Sequence, residues 1–210
     1  CWRARMAVAH KDLDCETRPT RFTEIAGIVD GGQRSVPVIE DGDRVVADSW
    51  AIAEYLEDTY PDLPSLFRGQ GGRRLCRFVK YWIEASVQPE IVRMVVKDIY
   101  EHLEPSEQPY FRQSREERFG DSLDALQAGR EARRASLAEI LTPLRLALRG
   151  QDYIGGAEPH FADHIAFGAF QWPRVISDFP ILRDDDPIGD WFERCLDLYG
   201  GLGRAMPAAA

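Results

Sequence analysis

Two small groups of residues in the first third of the chain have the types and spacing to hold a ligand. Pro37 stands where the run Val36, Val38, Ile39 should begin a strand, and proline has no N–H to give to a ladder. The backbone of Val36 is therefore expected at an edge, available to pair with an extended peptide. Asp48 and Ser49 then combine a carboxylate, a hydroxyl and the free N–H groups of a helix start, which suits a ligand carrying both an ammonium and a carboxylate. Each alone reads more readily as a plain edge proline or a plain helix cap. Jointly they fit a small zwitterionic peptide.

The elements that must position them are written in the same stretch. Val36, Val38 and Ile39, the turn Asp41-Gly42-Asp43 and the return Val45-Val46 predict a hairpin. Asp48 or Ser49 caps a helix with Ile52, Ala53, Leu56 and Tyr60 inward and Glu54, Glu57 and Asp58 outward. Ahead of this β-β-α unit, Cys1 to Leu13 predicts a helix ending at Asp12. Glu16 to Phe22 predicts an edge strand containing Pro19, and Phe22 to Gln33 a short helical segment and loop. Pro61 to Pro64 stops the motif helix, and Gly69 to Gly72 has the composition of a linker, dividing the chain into domains 1–68 and 69–210.

Beyond the linker every pattern is helical. A long helix, Arg73 to His102, is expected to kink near Pro89, and Pro105 and Pro109 break the chain after it. Residues 115–149 carry the stripe Leu137, Ile140, Leu141, Leu144, Leu148, divided at Pro143. His160 and Asp163 open another helix, and Asp186-Pro187 starts the last, with Trp191, Cys195 and Leu198 inward. The tail from Gly200 has little to fold.

Composition removes several function classes. The 210 residues hold 26 Lys and Arg against 35 Asp and Glu, a formal charge of −9 that opposes sustained attraction to nucleic acid. No run of about 18 apolar residues could cross a bilayer, so a soluble, cytoplasmic protein is expected. Cys1, Cys15, Cys76 and Cys195 are scattered and form no CxxC, and His160 and His164 lack a third ligand nearby. No metal site and no disulfide framework are expected.

Val36-Pro37-Val38-Ile39, the acidic turn, Asp48-Ser49 and Ile52-Ala53-Glu54-Tyr55-Leu56 resemble the glutathione-binding half of a cytosolic glutathione S-transferase. Trp2-Arg3-Ala4-Arg5-Met6-Ala7, Phe22-Thr23-Glu24-Ile25, Asp121-Ser122-Leu123, Gln127 to Glu131 and Asp197 to Gly203 are similar to the bacterial β-aryl etherase branch and its fungal relatives. The resemblance implies an α+β chain: a thioredoxin-like domain, here lacking its first strand, followed by an all-α domain. It implies glutathione as cosubstrate, held by Gln33, Arg34, Ser35, Val36, Pro37, Asp48 and Ser49. It also implies a homodimer.

The implied chemistry is thiolate attack. A free thiol of pKa ~8.5 is mostly protonated at neutral pH, and a helix N-terminus with a hydroxyl donor lowers that value. In branches with the pattern Ser/Cys-Pro-Phe/Tyr-x-x-Arg the arginine aligns with Arg3, which places the donor three positions before Cys1. A small hydrophobic or aromatic electrophile, such as a β-aryl ether, is expected between the domains against Tyr81, Trp82, Ile91 and Met94. Two rival readings stand beside this one: a non-catalytic glutathione-fold binding protein, and a thiol-disulfide oxidoreductase using Cys1.

Overall fold

A computed structural model describes residues 1–28 and 35–209. α1 (Trp2–His10) closes at Lys11, and Asp12 takes the left-handed conformation expected of it, φ 53°. Residues 14–21 join no ladder among the described residues, which corrects the expected strand from Glu16 to Phe22. Their side chains are exposed and Pro19 can donate nothing, so no apolar face draws them onto a sheet. Phe22–Gly27 is a single 3₁₀ segment.

The hairpin forms as read. β1 (Val38–Asp41) pairs antiparallel with β2 (Arg44–Ala47), Val38 opposite Ala47 and Asp41 opposite Arg44, with Gly42 in the left-handed turn position, φ 57°. α2 (Ser49–Thr59) follows directly, burying Ile52, Ala53 and Leu56. Tyr55 and Tyr60 both donate their hydroxyls to Asp41 Oδ2, at 3.0 and 2.5 Å, and so lock the turn onto the helix.

Glu57 does not face out as the helical wheel predicts. It accepts from Ser65 Oγ and from Leu66 N–H at 2.9 Å, and it pairs with the fully buried Lys11 at 2.9 Å. Lys11 also donates to the Tyr60 carbonyl at 3.1 Å. A buried ammonium with these partners draws the carboxylate inward, because either charge alone would be left unpaired out of water.

The glycines after residue 69 are not a linker. Gly69 caps α3 (Gln70–Trp82), and Gly71 and Gly72 form its first turn, where a Cβ on Gly72 would fall on the Phe67 carbonyl. α3 continues through a π-turn, Ile83–Val87, into α4 (Gln88–His102). The wide turn stands just before Pro89, whose ring would otherwise crowd the carbonyl four residues back. Pro109 sits in the first turn of α5 (Gln108–Phe119), and Pro143 divides its stripe as expected by standing in the first turn of a new helix, α8 (Thr142–Leu148). Between those two lie α6 (Leu123–Gln127), capped by Ser122, and α7 (Arg130–Ile140).

α9 (Phe161–Ile176) is the axis of the molecule, buried on every side from Phe161 to Gln171 and packed against α1, α3 and α4. Its cap is half of a capping box, with Asp163 Oδ2 accepting from His160 N–H at 3.0 Å. Asp163 also accepts from Ile154 and Gly155 N–H and from Trp191 Nε1 at 2.7–3.0 Å, which ties α9 to α10 (Ile188–Gly201). The tail is pinned rather than loose: Gln171 donates to the Gly203 carbonyl at 2.8 Å and Ala209 N–H to the Arg174 carbonyl at 2.9 Å. One core runs from Ala4 and Ile52 through α9 to Leu196, and a smaller one, Val96, Phe111, Leu123 and Leu126, lies under α4 to α6. Among the described residues no helix is long and apolar enough to cross a membrane.

Candidate functional site

A cavity of about 740 Å³ opens where α1, the hairpin, α4, α5 and α9 meet. Ser35, Val36, Pro37, Asp48 and Ser49 line one side, so the two residue groups singled out in the sequence come together. Gln33 and Arg34 lie outside the described residues. The Val36–Pro37 peptide is cis, and the β1 ladder begins only at Val38. The Pro37 carbonyl accepts from Asp48 N–H at 3.1 Å, which fixes the proline loop against the start of α2.

Asp48 has two features at once. Its Oδ1 caps α2, accepting from Trp50 and Ala51 N–H at 2.8 and 3.1 Å, and its backbone lies at φ 77°, unusual for a residue with a Cβ. Strained φ values persist where the surroundings enforce them, and they gather at ligand sites. The Asp48 side chain remains exposed beside the cavity, while Ser49 is buried at its edge.

The start of α1 forms the floor. Cys1, Trp2 and Arg3 line the cavity, with Cys1 as the N-cap residue of the helix. Arg3 donates to Glu84 Oε1 at 2.7 Å and to Gln88 Oε1 at 3.3 Å, and Lys80 reaches the other oxygen of Glu84 at 2.7 Å. Burial alone would push the Glu84 carboxyl up, and the two cations outweigh it and hold the group below its usual range. α9 approaches closely at Gly168, where a Cβ would come within 3.1 Å of Arg3 Cγ.

The opposite wall is not the one expected. Tyr81, Trp82 and Met94 are absent from the lining of this cavity. Met94 is fully buried in the core, Trp82 packs against that core, and Tyr81 is exposed on the outer face of α3. Ile91 is likewise fully buried, away from the cavity. The face that does line it carries Glu84, Gln88, Val92, Val96 and Ile99, joined by Phe111, Arg115 and Phe119 of α5, with Trp172 across the opening. Residues 84, 88, 92, 96 and 99 step at helical spacing, but the face runs from polar to apolar and so shows no amphipathic contrast in the sequence. The contributions of Phe22 and α5 are tertiary and leave no local mark.

Of the four thiols, Cys76 and Cys195 are buried away from the cavity, and burial pushes the Cys76 thiol up to about 12 and that of Cys195 higher still. Cys1 is exposed at the cavity. Among the described residues no cluster of three His, Cys, Asp or Glu could hold a metal.

A family model described as the glutathione S-transferase N-terminal domain matches residues 1–65, and one described as the glutathione S-transferase C-terminal domain matches residues 75–198. The crystal structure of glutathione transferase GSTFuA3 from Phanerochaete chrysosporium is 30% identical, with a TM-score of 0.75 over 97% of this chain and 85% of that one. A glutathione S-transferase of Ceriporiopsis subvermispora in complex with glutathione is 21% identical, with a TM-score of 0.72 over 98% of this chain and 86% of that one, and shows the shared fold alone. The maleylacetoacetate isomerase of Dictyostelium discoideum is 30% identical over 100 residues, 42% of this chain and 43% of its own length. The chain spans about half the length of the curated relatives it matches. The architecture is thus α+β, thioredoxin-like and then all-α, and with both domain models matched in order the chain belongs to the glutathione S-transferase family.

Proposed function

We propose that the chain is a glutathione-dependent transferase, with glutathione as cosubstrate lying along Ser35, Val36, Pro37, Asp48 and Ser49, and with Gln33 and Arg34 at its glycine end. The observation that carries this is the convergence of the proline loop, the α2 N-terminus and the α1 N-terminus on one cavity that also has an apolar wall. The Val36 backbone meets the cysteinyl part of the peptide, and the carboxylate of Asp48 meets its γ-glutamyl ammonium. The thiol then sits at the N-terminus of α1, where the helix dipole and free N–H groups favour the thiolate. Arg3 is neutralised by Glu84 and so positions α1 rather than holding an anion.

The thiolate attacks a hydrophobic, aromatic electrophile held against Val92, Val96, Phe111 and Phe119; a β-aryl ether fits that wall, and similarity to the etherase branch supports it. Relatives named maleylacetoacetate isomerase or zeta class support a rival outcome at the same site, glutathione-assisted isomerisation of a small unsaturated acid. A second reading, disulfide exchange by Cys1, draws on the exposure of that thiol at a helix start inside the cavity. We place the domain boundary at 68/69, ahead of α3. A second copy of the chain covers the outer face of α3, where Leu75, Phe78 and Tyr81 are 68%, 70% and 58% exposed at successive turns.

Calorimetric titration with glutathione tests the site, and rates with glutathione on a model aryl ether, on maleylacetoacetate and on a disulfide test the reaction. Saturable glutathione binding with ether cleavage is expected. Absence of binding overturns the transferase reading. Turnover of the disulfide alone, lost in Cys1→Ala, replaces it with the oxidoreductase.

A further inference from the structure

The apolar wall of the cavity carries three cations apart from the residues proposed to hold glutathione. Arg93 on α4 and Arg115 and Arg118 on α5 all line it. Among the described residues the ion pairs of this region engage other arginines, Arg112 with Glu116, Arg130 with Asp98 and Arg133 with Glu90, and none of these three. Among the described residues Arg93 donates only to the Pro89 carbonyl, at 3.2 Å, and Arg115 only to the neighbouring Ser114 Oγ, at 2.9 Å. Their guanidinium groups lie instead over the rings that face the cavity. Arg115 is 4.6 Å from the Phe111 centroid and 5.4 Å from that of Phe22, while Arg93 and Arg118 flank Phe119 at 5.4 and 5.5 Å.

Arg93 and Arg115 are half-buried and Arg118 is exposed, and in a chain that has an excess of nine carboxylates no ion pair among the described residues engages any of the three. Burial, with the adjacent charge of Arg118, already pulls the Arg115 guanidinium below its ordinary value. Arg93 and Arg115 each spend an Nη1 donor on a neighbour, which leaves their other N–H groups for a ligand, and a planar fork is the geometry that receives a carboxylate.

We propose that this wall selects electrophiles that are both aromatic and anionic, an aryl group bearing a carboxylate or sulfonate, with the ring among Val96, Phe111 and Phe119 and the anion on Arg115, flanked by Arg118 and Arg93. The inference rests on reading the cavity as the site for glutathione and its electrophile, and it names the class of that electrophile. It separates this wall from a merely greasy one: a neutral ring of the same size gains the stacking but leaves the three cations unpaired.

Two fluorescent probes with one ring system test it. 8-Anilinonaphthalene-1-sulfonate carries the anion and N-phenyl-1-naphthylamine does not; each is titrated into the full chain, wild type and Arg115→Met, with and without glutathione. Methionine keeps an unbranched apolar side chain over Phe111. Loss of a charge-assisted bond predicts about tenfold weaker binding of the sulfonate, with the neutral amine held within about twofold. Arg118→Met and Arg93→Met, on less enclosed side chains, carry the same comparison if Arg115→Met does not fold, each with a smaller loss confined to the sulfonate. Equal weakening of both probes, or no change in either across the variants, overturns the proposal. The affinity for glutathione, measured on the same samples, reports separately on the cosubstrate site and is expected to be unchanged.

Discussion

Asp48 caps α2 and is proposed to meet the ammonium of glutathione, two roles that a single substitution would confuse. Replacing it by alanine removes the α2 cap, worth about 1 kcal/mol of stability, along with any contact to a bound ammonium. Asparagine keeps an oxygen for Trp50 and Ala51 N–H and removes only the charge. Asp48→Asn is therefore expected to leave the melting temperature nearly unchanged while weakening glutathione binding by about 1.5–3 kcal/mol in calorimetric titration. Equal affinity for wild type and Asp48→Asn would show that the carboxylate is a cap alone. The histidines set out a second residue-scale arrangement. The Ser65 carbonyl can only accept, so His10 Nε2, 3.1 Å away, carries the proton and His10 Nδ1 is bare. The Tyr199 hydroxyl, 2.8 Å from that bare nitrogen, must donate to it, and it then accepts from His164 Nε2, also at 2.8 Å. Both rings are fixed as neutral Nε2–H tautomers, leaving His164 Nδ1 as a buried lone pair without a partner among the described residues.

At the scale of elements, α3 and α4 decide what the molecule can meet. α3 turns Leu75, Phe78 and Tyr81 outward, an apolar stripe whose size invites a second copy of the same face. Phe78→Glu places a charge at its centre, and sedimentation is expected to change from dimer to monomer with the fold intact; wild type and variant sedimenting alike would remove the interface. α4 shows why part of the site was legible and part was not. The hairpin, its turn and the Asp48 cap rest on contacts between near neighbours in sequence, so residue types at fixed offsets sufficed to read them. The electrophile wall does not. The helix widens in a π-turn at Ile83–Val87, and the side chains expected against the electrophile fall elsewhere, Ile91 and Met94 in the core and Tyr81 on the outer face of α3. The true cavity face begins with Glu84 and Gln88 and ends with Val96 and Ile99, polar at one end and apolar at the other, which gives no amphipathic contrast to detect. Glu57 turns inward against the helical pattern for a related reason: its partner Lys11 stands at the end of α1, and no periodicity records it.

Across the whole molecule, the two halves are joined by polar groups set within a continuous core. His10 on α1, Ser65 after α2, His164 on α9 and Tyr199 at the end of α10 form one hydrogen-bonded chain, and Lys11 with Glu57 lies beside it. Burial pushes His164 well below its ordinary value, with the neighbouring charges of His10 and His160 adding to it, and burial lowers His10 and His160 as well. Burial would raise the Glu57 carboxyl, but donors from Ser65, Lys11 and Leu66 together hold it below the usual range. The two kinds of group act in different pH windows. A histidine that stays neutral when folded but protonates near pH 6.5 when unfolded stabilises the protein fully above that value, and its contribution is lost as pH falls from about 6.5 toward the folded pKa. Glu57, depressed in the folded state, keeps its contribution above the ordinary glutamate range of about 4.3 and loses it as pH falls from there through the lower folded value. Acid destabilisation should therefore begin with the histidines, well before Glu57 titrates. For His164, fully buried, the loss amounts to about 1.4 kcal/mol for each pH unit through its window. Urea unfolding at pH 8, 7, 6 and 5 is expected to give a plateau above pH 7 and a steep fall below it, and His164→Gln should flatten that fall by about one proton while lowering stability at pH 8. A wild-type stability that stays level from pH 7 to 5, or a slope that survives His164→Gln unchanged, would mean that the chain from Ser65 to His164 does not carry the acid response of the domain junction.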